Sequence, residues 1–317
     1  MIRFTAGRLV LFAVGLLVAS ALIFATLRLL PGDVAQVIAG TTGSPAQVAA
    51  LRAELGLDRP FLAQYLDWVG GLLRLDLGRS LVTGTPVADE IADKLAVTLP
   101  LAGLSLAVGL VVGVPLGVLA ALRRRRPLGT AASIGGQILA AVPAVWAGML
   151  LIALFAVTLD WLPTQGFPLD GWSDPAAALR ALVLPAVTIG LVEGAVLLRF
   201  TRSAALGALD ADYVRAAAAK GMTRDRALVR HGLPNVMLSV VSVLGIQAAG
   251  LVVGAVLVEQ LFSLPGVGRM LVADVGRRDL TKVQGELMTL TAIVLAVGFV
   301  VDVVHRAVDP RARERGE

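Results

Sequence analysis

Cysteine is absent from the 317 residues, and only two histidines are present. There is accordingly no disulfide framework, no thiolate metal site and no cysteine nucleophile, and a His-rich metal cluster is ruled out. Lysine occurs only at Lys94, Lys220 and Lys282, so arginine supplies most of the positive charge. No G-x4-G-K-[ST] run cradles a phosphate, so energy must come from another subunit or from a gradient. No H-E-x-x-H or G-x-S-x-G pattern occurs, which leaves a hydrolase without a visible nucleophile or metal and speaks against an enzyme. Carboxylates within the apolar runs are too few for the relay of a proton-coupled carrier, and no internal repeat makes the chain a whole secondary transporter. Charged residues are scarce as well, at 16%, against 57% hydrophobic residues and a mean hydropathy of +0.82. That balance lies outside the soluble class and predicts an all-α integral membrane protein. The net charge of +5 does not imply nucleic acid, because basic residues of membrane proteins gather on cytoplasmic loops.

Six apolar runs predict six transmembrane helices. Leu9 to Leu27 carries no charge and is long enough to cross a hydrocarbon core of roughly 30 Å, with Arg3 and Arg8 favouring a cytoplasmic N-terminus. Ala19-Ser20-Ala21 has the look of a signal-peptidase site, but the apolar run continues past it, so residues 1–30 are expected to remain as a span. Residues 31–94 form an extracytoplasmic region with short helices. Ser44, Pro45 and Gln47 make a capping box and Gly56 a stop, while Phe61, Tyr65, Trp68, Val69 and Leu72 recur at helical spacing, as in an interfacial amphipathic helix. This region reads either as a structural cap or as a docking face for a substrate-binding protein. Residues 95–305 hold the other five spans, and residues 306–317 a cytoplasmic tail. The second span, Leu95 to Leu122, has Gly109, Gly113 and Gly117 on one face, where another helix can approach closely. Arg123 to Arg126 then mark the cytoplasmic side. The third span, Ala131 to Leu159, contains Pro143, expected to kink it. The fourth, Ala181 to Leu198, carries Glu193, which either lines a translocation path with Gln247 of the fifth span or partners Arg199 or Arg202. The fifth span runs from Val236 to Val258, and Phe262 to Gly268 is expected to be a tight turn because Pro265, Gly266 and Gly268 break regular structure. The sixth runs from Val283 to Val301. Basic residues are in excess on the proposed cytoplasmic side, which fits both termini inside.

The most telling stretch is Asp212 to Asn235, DYVRAAAAKGMTRDRALVRHGLPN, within a cytoplasmic loop at 199–235. Four alanines between Arg215 and Lys220 favour a helix, Gly221 ends it, and Thr223 caps a second with Asp225 in its first turn. Leu233 and Pro234 are expected to stop the second helix. The spacing resembles the loop motif of ABC-importer permeases, E-A-A-x3-G-x9-I-x-L-P, through Arg215-Ala216-Ala217, Gly221, His231 and Leu233-Pro234. The motif's glutamate and isoleucine are replaced by Arg215 and His231. The Tyr-Val-Arg opening, LPGD at 30–33, LRAELGLDRPFLAQY at 51–65, DLGRSLVTGTPV at 76–87, VLVEQLFSLPGVGRMLVADVGRRD at 256–279 and the VDP-R-A-R ending look like the dipeptide, oligopeptide and nickel branch.

That resemblance implies a type I importer permease fold and half of a translocation path for peptides across the cytoplasmic membrane. It implies as partners a second, commonly non-identical permease, two ATP-binding subunits that hold the ATP, and an extracytoplasmic binding protein; the chain itself would need no cofactor. Tyr213, Ala216, Ala217 and Gly221 are implied to form the ATPase-docking surface with Leu233 and Pro234, and Arg215, Lys220 and Arg224 either offer charge pairs to the ATPase or face water. Glu259, Phe262, Pro265 and Gly266 fall in the family's outer gate loop. Import of nickel or another small solute, a self-contained gradient-driven carrier and a membrane scaffold are the rival readings.

Overall fold

The computed structural model describes residues 2–29, 34–40, 43–54 and 56–308. The LPGD stretch at 30–33 and the tail beyond residue 308 lie outside the described residues. Thirteen α-helices are found among the described residues, and no strand beyond an isolated bridge between Arg79 and Pro86. They are α1 (Ile2–Leu29), α2 (Val34–Ala39), α3 (Pro45–Glu54), α4 (Phe61–Leu72), α5 (Val87–Leu122), α6 (Pro127–Ala141), α7 (Ala144–Leu151), α8 (Pro175–Leu209), α9 (Asp212–Ala219), α10 (Arg224–Ala227), α11 (Leu233–Leu261), α12 (Val267–Arg277) and α13 (Leu280–Val308). Among the described residues, five helical segments are long and apolar enough to cross a membrane, and α6 with α7 and its continuation makes a sixth if the bent pair counts as one span.

The third span departs most from expectation. It is broken rather than kinked: Pro127–Ala141 and Ala144–Thr158 meet at 105°. Pro143 drives Val142 into extended backbone at φ −78°, ψ 125°, as a proline does to the residue before it, and α7 restarts just beyond. The second limb then widens into a π-helical stretch, Ile152–Thr158.

The chain forms two compact units. One comprises residues 98–264 together with 1–5 and 297–317. Within it α8 packs on α11, α6 and α7. The glycine face of α5 meets α8 as its spacing predicts. A Cβ at Gly113 would lie 2.5 Å from the Gly194 carbonyl oxygen, and one at Gly190 would lie 2.6 Å from Val108 Cβ. In lipid no hydrophobic effect pulls helices together, so such backbone approach, with its dense dispersion contacts, is what holds the crossing. An apolar core of Ala121, Leu197, Ala205, Ala208, Leu228, Val236 and Val240 joins α5, α8 and α11 to the segment between α10 and α11.

The other unit comprises residues 6–97 and 265–296. Phe24 of α1, 2% exposed, is surrounded by α4, with ring centroids 5.0 Å from Phe61, 5.5 Å from Tyr65 and 5.9 Å from Trp68. The apolar stripe of α4 thus packs on α1, and the Tyr65 hydroxyl lies 3.0 Å from Ser20 Oγ. The capping box of α3 forms as expected: Ser44 N donates to Gln47 Oε1 at 2.9 Å and Gln47 N donates to Ser44 Oγ at 3.3 Å.

Candidate functional site

The stretch after α8 is two short helices at a sharp turn. Gly221 has φ +90°, the left-handed region where glycine is unstrained, and its NH bonds the Ala218 carbonyl at 3.0 Å. Thr223 Oγ1 accepts from Arg226 N at 3.4 Å and caps α10. Tyr213, Arg215, Ala216, Lys220, Gly221 and Arg224 are exposed and Ala217 is half-buried, while Val214 is 2% exposed and points inward. Arg215 pairs within its own helix with Asp212, and Asn235 Nδ2 donates to Tyr213 Oη at 3.0 Å. Leu233 and Pro234 do not stop the second helix. A π-helical turn, Leu228–Gly232, carries α10 into α11, and Pro234 occupies its first turn, where the missing NH costs nothing. Leu233 is half-buried against the apolar core, and Pro234 is exposed.

Glu193 and Gln247 come together between α8 and α11. Gln247 Nε2 donates to the Glu193 carbonyl oxygen at 3.3 Å, and a Cβ at Gly250 would lie 3.3 Å from Glu193 Oε1. Glu193 Oε2 is buried with no hydrogen-bond partner among the described residues. The alternative partners are elsewhere: Arg199 lies over the Phe200 ring at 5.5 Å, and Arg202 Nε is buried with no hydrogen-bond partner among the described residues.

The fifth span is longer than predicted, so Glu259 lies in its last turn rather than in the outer loop. It is fully buried, and Thr98 Oγ1 donates to its Oε1 at 2.6 Å. Phe262, 1% exposed, packs near Gly148 of α7, and its carbonyl accepts from Gly166 N at 2.8 Å. The turn itself is shorter than predicted. It covers Phe262 to Gly266, with Ser263 at φ +53°, Pro265 within it and Gly266 capping α12; Gly268 is helical, since a single glycine near a helix start is tolerated.

A largely buried charged network beyond this turn has no signature in the sequence. Lys282 Nζ, on a side chain 4% exposed, lies 2.7 Å from Glu90 Oε2 and 2.8 Å from Asp274 Oδ2. Asp279, 1% exposed, accepts from Ser80 Oγ at 2.5 Å, from Leu81 N at 3.2 Å and from Lys282 N at 3.3 Å. Glu286 is fully buried, with Asp274, Asp279 and Lys282 as its charged neighbours. Lys282 was legible only as one of three lysines; its partners lie on segments up to 192 residues away.

A family model described as binding-protein-dependent transport system inner membrane component matches residues 113–314. A second, described as the N-terminal part of the membrane component of such systems, matches residues 1–102. A putative peptide transport system permease protein of Brucella abortus (strain 2308) is 39% identical over 298 residues, covering 94% of this chain and 95% of its own. The glutathione transport system permease protein GsiC of Escherichia coli O6:H1 is 36% identical over 316 residues, or 99% of each chain. The dipeptide transport system permease protein DppB of Escherichia coli K12 is 36% identical over 341 aligned positions, covering 99% of this chain and 100% of its own. Spans, loop motif and family matches agree: the chain belongs to the binding-protein-dependent transport system inner membrane components, and is a permease subunit of an ABC transport system.

Proposed function

We propose that the chain forms half of the import path for short peptides, with a second and non-identical permease forming the other half. ATP is held and hydrolysed by two separate subunits that dock on the 212–235 segment, and peptide is delivered by an extracytoplasmic binding protein. The observation that carries the substrate class is the near end-to-end similarity to permeases named for peptides, glutathione and dipeptides. The exposed turn at Gly221 supports the docking role: it presents small and basic side chains, Ala216, Lys220 and Arg224, on two helices whose inner sides are anchored by Val214 and Leu228. Closure of the ATPase pair would move these segments together and rock the spans between outward-open and inward-open states. Glu193 and Gln247 line the path, and Phe262, Pro265 and Gly266, in the turn that follows the helix end carrying Glu259, form its outer gate.

The test is purification of the complex in mild detergent, followed by uptake of labelled dipeptides and tripeptides into vesicles by the wild type and Glu193→Gln. Co-purifying ATPase subunits, a second permease and uptake that stops without ATP are expected. Uptake that persists without ATP would sink the proposal, and unchanged uptake by Glu193→Gln would remove that residue from the path.

A further inference from the structure

The four consecutive arginines after α5 serve the positive-inside rule, but two of them have specific partners, one within the docking segment and one just before it. Arg123 Nη2 donates to Asp225 Oδ2 of α10 at 2.7 Å, across 102 residues of sequence. Arg124 Nη2 lies 3.9 Å from Asp210 Oδ1, on the residue that caps the end of α8 just before α9. Arg125 and Arg126 are exposed. Beneath the pairs, Ala121 of α5 and Leu228 of the turn after α10 share one apolar core.

We propose that Arg123 and Arg124 are positioning residues that clamp the docking segment at its middle, through Asp225 of α10, and at its entry from α8, through Asp210, so that its displacement carries the end of α5 with it. The inference rests on the docking role proposed above. Topology alone needs only positive charge here, and any of the four arginines would serve it. The clamp needs charge of the right sign at defined positions, with acids opposite. Both pairs are partly exposed, so their loss leaves the fold standing and acts on the geometry of coupling instead.

The experiment uses the complete complex in lipid nanodiscs with its binding protein and a dipeptide mixture, comparing wild type, Arg123→Asp, Asp225→Arg, the double swap and Arg125→Asp. Each sample is measured for recovery of ATPase subunits and for the ratio of stimulated to basal ATP hydrolysis. Either single reversal is expected to keep the subunits but lower the ratio by up to about fivefold, the double swap to restore it, and Arg125→Asp to match the wild type. Wild-type ratios in both single variants, or a double swap no better than they are, would overturn the clamp. A wild-type complex recovered without ATPase subunits would instead overturn the docking role on which it rests.

Discussion

At single residues, magnitude separates folding from function. Gly221 sits at φ +90° with open space where a Cβ would be, so Gly221→Asp costs only left-handed backbone strain, about 1–2 kcal/mol. The complex is expected to assemble, and loss of substrate-stimulated ATP hydrolysis would then report docking rather than unfolding; stimulation at the wild-type level would place the docking surface elsewhere. Lys282 is the opposite case. Lys282→Met takes the close cation from Glu90 and leaves Asp274 only Arg277, at 3.9 Å, beside the buried Glu286, and breaking the buried Lys282–Asp274 pair from one side costs about 3–5 kcal/mol. A large drop in melting temperature is expected, and Lys282→Met with Asp274→Asn is expected to recover part of it; full additivity of the two losses would show that the groups do not interact. Gly221 was legible from its place after a basic, alanine-rich helix. Lys282 was not, because charge at a span end looks the same whether it meets water or carboxylates.

Among the helices, the α5–α8 crossing depends on the absence of side chains. A Cβ at Gly117 would lie 2.7 Å from the Leu198 carbonyl oxygen, and at Gly113 the nearest atom is likewise backbone, so a larger residue must push the helices apart. Overpacking of this kind costs about 1–3 kcal/mol. Gly113→Val is therefore expected to lower the unfolding temperature in detergent, and Gly103→Val, on the same helix but with nothing within 4 Å of its Cβ, to leave it unchanged. Equal melting of the two variants would show that the crossing is not tight. The four-residue glycine spacing announced that some helix would come close, but the identity of that helix depended on small residues of its own at Gly190 and Gly194, 73 or more positions further along. At Pro143 the sequence carried a break but not its size. A proline gives a bend of any angle that the neighbours permit, and here α7 meets α8 and α11 and the bend is 105°.

For the whole molecule, the hydropathy profile and charge bias determined an all-helical membrane protein, and the loop motifs determined its family. These features are local: an apolar run needs a bilayer whatever its neighbours are, and a Gly-terminated alanine helix followed by a Thr cap folds by its own backbone chemistry. Tertiary structure alone decided which polar residues are used inside the protein. It turned Arg123 and Arg124 from topology markers into partners of Asp225 and Asp210, put Glu193 beside Gln247 rather than Arg199 or Arg202, and drew Ser80, Asp274, Asp279 and Lys282, with the half-buried Glu90, into one network. The physical reason is that an ion pair or a buried hydrogen bond depends on distance in space, while the sequence orders these groups only along the chain.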